Sequence, residues 1–70
     1  MAAKIEPVKA KFQVVRNVVV HGNAVYTVDA NPNWVEGVNL IRISLRLAGS
    51  YSVTTIEIDP NHEFETLIVD

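Results

Sequence analysis

Two glycine-containing turns constrain this chain more than any other feature. Gly22-Asn23 and Gly49-Ser50 each separate runs rich in Val, Ile and Thr. Glycine accepts the positive φ that two-residue hairpin loops demand, and the flanking β-branched residues suit a pleated surface better than a helix. Each turn therefore predicts an antiparallel hairpin and fixes its register.

The first hairpin runs from Phe12 to Val20 and returns from Ala24 to Ala30. With Gly22-Asn23 as the loop, His21 faces Ala24, Val20 faces Val25, Val18 faces Thr27 and Arg16 faces Asp29. The opposite face carries Val19 with Tyr26 and Val15 with Ala30. Both faces are substantially apolar, whereas a half-solvated sheet shows one polar face. This hairpin needs cover on both sides, from its own chain or from a partner.

The second hairpin is cleaner. Ile41, Ile43, Leu45 and Leu47 alternate with Arg42, Ser44 and Arg46 inside a run from Val38 to Ala48. The Gly49-Ser50 turn pairs Ile43 with Ile56, Ile41 with Ile58, and Arg42 with Glu57. A one-residue slip would mix the apolar and charged faces, so the register is strongly specified.

Asn31-Pro32-Asn33 and Asp59-Pro60-Asn61-His62 carry turn chemistry. Taking Pro60 to His62 as a three-residue loop pairs Ile58 with Phe64, Ile56 with Thr66 and Thr54 with Ile68. It also sets Glu57 opposite Glu65. The expected fold is all-β: a five-stranded antiparallel meander over residues 11–70, forming a small barrel or a strongly twisted sheet. Residues 1–10, interrupted by Pro7, are expected as an N-terminal tail or arm.

The composition, 49% hydrophobic and 20% charged, is that of a folded domain. The absence of cysteine excludes disulfide frameworks, zinc knuckles and thiol nucleophiles. A net charge of -2 gives no basic footprint for nucleic acid or an anionic membrane. Arg42, Arg46 and Tyr51 share their expected face with Glu57 and Glu65. No apolar run approaches the roughly 18 residues of a membrane span, so no membrane partner is expected. The start, Met1 to Pro7, lacks the apolar stretch of a signal peptide.

Motifs for chemistry are missing. Asp59, Asn61 and Glu63 alternate as oxygen ligands do, with His62 and Glu36 in reach, but the short loop with Pro60 lacks the glycine and the six or more oxygens of a calcium site. His21 or His62 beside a carboxylate would make a general base, yet Ser44, Ser50 and Ser52 lie in no glycine elbow. The expectation is a protein that is not an enzyme and has no catalytic residue, cofactor or metal.

Two interface candidates remain. The meander brings the Asn31–Gly37 loop and the Asp59–His62 turn to one end, gathering Trp34, Asn33, Glu36 and His62. Tryptophan is enriched at binding hot spots. The Val18-Val19-Val20 run has high β-propensity and no local charge, so a native fold has to cover it. A small core without disulfides adds a reason to associate. These features point to a structural or assembly protein that forms a homo-oligomer or decorates a larger complex such as a virion. The other reading is a small binding module, an inhibitor or adaptor, that presents the Trp34 loop to one partner.

Overall fold

A computed structural model of the chain describes residues 2–69. Met1 and Asp70, the outermost residues of the expected arm and domain, lie outside the described residues. Six antiparallel strands form one sheet: β1 (Ala3–Lys9), β2 (Val18–His21), β3 (Ala24–Trp34), β4 (Ile41–Leu47), β5 (Val53–Ile58) and β6 (Glu63–Val69). Their order across the sheet is β1-β6-β2-β3-β4-β5. The all-β antiparallel class is as expected. The sheet is not closed into a barrel, because β1 and β5 remain as edges.

Both glycine turns produce the expected registers. Val20 pairs with Val25 and Val18 with Thr27. Ile41 pairs with Ile58, Ile43 with Ile56 and Arg42 with Glu57. Across the last pair, Arg42 donates to Glu57 Oε2 at 2.6 Å. The second loop is wider than two residues: the Leu47 N–H donates to Ser52 O and the Ser50 N–H to Leu47 O. Gly49 takes the positive φ of +77° that this turn requires.

The last strand departs from expectation. Strand β6 does not pair with β5; it lies between β2 and β1. Thr66 stands opposite Val19, not Ile56. Residues Ala3–Lys9, expected as a tail or arm, pair along the whole of β6, from Ala3 with Val69 to Lys9 with Glu63. The expected register carried a penalty that this one removes: Glu65 now stands between Pro7 and Val20 instead of opposite Glu57.

This order forces the sheet to coil. Strands β5 and β6 are separated by three antiparallel neighbours, so they run in the same direction. In a flat sheet the end of β5 and the start of β6 would lie four strand spacings apart, about 19 Å sideways, and a strand length apart lengthwise. The five steps from Ile58 to Glu63 reach at most about 18 Å. Asp59–His62 is itself folded into a turn, with the His62 N–H donating to Asp59 O at 3.0 Å. Only a coiled sheet lets so short a link join these ends. Strand β3 carries the bend. Its register against β4 slips between Val28 and Ala30 and again between Ala30 and Asn33, and bulged strands bend. The bulges also accommodate Pro32, so Asn31–Trp34, expected as a loop, continues the strand.

Coiling encloses one face. Val19, Val28, Ile41, Ile43, Leu45 and Phe64 form the buried core, with Tyr26, Ile56 and Ile58 packed against it. Ala10 joins them from a short 3-10 turn, Ala10–Phe12, that follows β1. The Ala10 N–H donates to His62 O and the Lys11 N–H to Pro60 O, which ties this turn to the β5–β6 link.

The segment before β2, expected as strand from Phe12, is irregular. The Asn17 N–H donates to Val14 O, the Arg16 N–H to Val28 O and the Val28 N–H to Asn17 O. Arg16 and Asn17 together oppose one residue, Val28, and Arg16 has φ +78°. This is a bulge whose first residue is left-handed, a position that glycine normally fills. The expected pairing of Arg16 with Asp29 is lost, and Asp29 instead accepts from Arg46 at 2.6 Å. Left-handed geometry at a non-glycine residue costs on the order of 1 kcal/mol. Arg16→Gly is therefore expected to raise the urea unfolding midpoint, by up to about 0.5 kcal/mol of stability once the roughly 0.5–1 kcal/mol entropic cost of glycine is deducted. Arg16→Ala keeps the strain and should show no such gain.

Candidate functional site

Two surfaces stand out, and both follow from where coiling sends alternate side chains. The first is the outer face of β1, β6, β2 and β3. The Val18–Val20 run is divided by the pleat: Val19 is fully buried, Val18 is half-buried, and Val20 is 38% exposed on the opposite face. Val20 stands between Val25 and Glu65, and Glu65 stands beside Pro7. One row away on the same face, Leu67 pairs with Ile5, followed by Val69 with Ala3. Ile5 is 53% exposed and Val25 43%. Glu65 is the one charge set among these apolar residues.

The far half of the β1–β6 ladder projects beyond its neighbour. Strand β2 pairs with β6 only at Thr66 and Glu65. Leu67–Val69 and Ala3–Ile5 therefore form a two-stranded ribbon, and the molecule extends to 41 × 24 × 20 Å. The outer face of this ribbon is the more apolar of its two faces. The face in register with the core carries half-buried Ile68 opposite Lys4, which pairs at 3.1 Å with Glu6 of the next row, while the outer face carries only Ala3, Ile5, Leu67 and Val69. Elsewhere the outer face is polar apart from Val53: Arg42 with Glu57, Ser44 with Thr55 at 3.0 Å, and Arg46 with Asp29 cover β4 and its neighbours.

The second surface is the rim at the β3–β4 hairpin. Trp34 pairs with Ile41, at the end of a core row, yet is 62% exposed. Asn33 and Glu36 are exposed beside it. His62, expected to join this group, packs elsewhere. Its ring stands edge-on to Phe64 at 4.9 Å and to His21 at 6.4 Å. Among the described residues Trp34 takes part in no aromatic pair.

Sequence reasoning missed the polar centre beside the core. Gln13 is nearly fully buried. Its Nε2 donates to Thr66 Oγ1 at 2.9 Å and to Val8 O at 3.3 Å, and its Oε1 accepts from Asn17 Nδ2 at 2.9 Å. Thr66 Oγ1 donates on to Phe64 O. This network fastens the irregular Gln13–Asn17 segment to β1 and β6. Its only signal in the sequence was one Gln inside an apolar run, which strand reading takes for a solvent-facing position. A cleft of about 340 Å³ borders this segment, lined by Val15, Arg16, Thr27, Val28, Asp29 and Arg46. Arg46 is already paired there with Asp29.

Among the described residues no three His, Asp or Glu side chains gather as a metal site. No helix is long and apolar enough to cross a membrane. Comparison with protein-family models, with curated proteins and with solved structures gives no match.

Two substitutions separate structural from surface residues. Gln13→Ala leaves the Asn17 amide without its acceptor and should lower stability by about 1–3 kcal/mol in urea unfolding. Trp34→Ala should stay within about 1 kcal/mol of the parent, because an exposed ring leaves no cavity; a core-capping tryptophan would cost about 3–5 kcal/mol.

Proposed function

We propose that this chain is a non-enzymatic structural or assembly protein, which self-associates or takes its place on a larger complex such as a virion. The observation that carries this reading is the exposed apolar stripe on the outer face of the ribbon. A two-stranded ribbon is marginal in water unless a face packs against something. Here the outer side is apolar along the whole ribbon and stays exposed, with Ala3, Ile5, Leu67 and Val69 continuing into Val20 and Val25. Contiguous apolar surface of this kind marks association sites. A second copy presenting the same stripe would cover it through a two-fold contact, the commonest homo-oligomeric arrangement.

Sedimentation velocity across micromolar concentrations tests this. The parent chain should associate, and the Ile5→Lys/Val25→Lys double variant should remain folded by circular dichroism and shift at least tenfold toward monomer. A parent that stays monomeric up to hundreds of micromolar, with unchanged stability, would remove the self-association reading.

The exposure of Trp34 favours a second reading, a small inhibitor or adaptor that presents the Trp34 rim to one partner. On that reading the parent chain stays monomeric, and Trp34→Ala abolishes capture of the partner with the fold intact while the stripe variant keeps it.

A further inference from the structure

The two free edges of the sheet are built differently. Exposed edges invite strand addition, and proteins blunt them with lysine, proline, bulges or covering segments. Strand β1 carries such devices: Lys4, Pro7 and Lys9. Strand β5, Val-Thr-Thr-Ile-Glu-Ile, carries no lysine, proline or bulge. Its one charge, Glu57, is held by Arg42 of β4. Among the described residues no backbone hydrogen bond joins β5 to any strand other than β4.

The ladder shows which backbone groups are free. The Leu47 N–H donates to Ser52 O, which makes that pair a hydrogen-bonded one. Antiparallel pairs alternate between bonded and unbonded. Leu45 with Thr54, Ile43 with Ile56 and Ile41 with Ile58 therefore bond within the sheet. The N–H and C=O groups of Val53, Thr55 and Glu57 face outward.

We propose that β5 is a self-pairing edge: it adds antiparallel to β5 of a second copy, about a two-fold axis at Thr55. The proposal rests on the self-association reading but uses a different surface from the outer stripe. With Thr55 on the axis, Thr55 meets Thr55 of the second copy and Val53 meets its Glu57. All three outward residues are bonded, giving about six backbone hydrogen bonds. No like charges stand opposite one another, and Thr–Thr pairs are favourable across strands. On the inner face Ile56 comes beside Thr54 of the second copy, so both half-buried isoleucines gain cover at the seam. A chain with both this edge and the outer stripe carries two separate contact surfaces, which builds an extended assembly where a single two-fold contact stops at a dimer.

Thr55→Pro is the direct test. Its N–H points away from β4, so proline removes an outward donor and no ladder bond. Sedimentation velocity should show the Thr55→Pro chain folded and its association weakened at least tenfold, with Thr55→Val associating like the parent. Should Thr55→Pro fail to fold, Thr55→Lys keeps the N–H, sets two ammonium groups face to face at the axis, and should weaken association more strongly at low salt. In the parent, exchange of the Thr55 amide should slow as concentration rises. Unaltered association in Thr55→Pro, or in Thr55→Lys if that variant is used, overturns the edge proposal and leaves stripe-mediated association standing. A parent that does not associate at all overturns both.

Discussion

The link from Asp59 to His62 governs this structure. It is a four-residue turn between two strands that run the same way, with three strands between them. A hairpin is impossible there, and a flat sheet cannot be spanned. The sheet has to coil until the end of β5 reaches the start of β6. Residues 10 and 11 then bind the link through Ala10 to His62 and Lys11 to Pro60. From that coil follow the enclosed core, the bend of β3 at its bulges, and the position of β1 on the far side of β6.

Local chemistry was legible where a glycine turn lay between alternating strands. The register of Val20 on Val25 and of Ile43 on Ile56 needs only the turn and the pleat, and both are present. The Asp59–His62 turn was legible as a turn: Asp59 Oδ1 accepts from the Asn61 N–H, and the His62 N–H donates to Asp59 O. Its consequence was not. A tight turn between two apolar runs reads as a hairpin, and nothing local distinguishes that from a link across a coiled sheet. The one trace was Glu57 opposite Glu65, a like-charge pair that the observed order avoids. Arg16 was illegible for a related reason. Its neighbours Val14 and Val15 read as strand, while the bulge that places it at φ +78° is imposed by Val28 across the sheet.

The candidate surfaces were legible in part. The excess of apolar residues on the first hairpin was visible from its pairing, and the pleat resolves it: Val19 enters the core while Val20 and Val25 face out. The extension of that surface onto Ile5 and Leu67 was hidden, because it requires β1 to pair with β6. The grouping of His62 with Trp34 followed from the meander and goes with it; His62 stands against Phe64 and His21 instead. The surface ion pairs Arg42–Glu57 and Arg46–Asp29 each add little stability where solvent screens them. Their effect is on specificity, since they hold the outer face of β4 polar and leave the stripe confined to the other half of the sheet.

The coil, the enclosed core and the outer stripe all depend on β6 lying between β1 and β2. Nuclear Overhauser contacts across the strands at Thr66 test that placement most directly. The coiled sheet predicts backbone contacts from Thr66 to Val19 on one side and to Glu6 on the other. Contacts from Thr66 to Ile56, with none to Val19, would restore the simple meander and contradict the account.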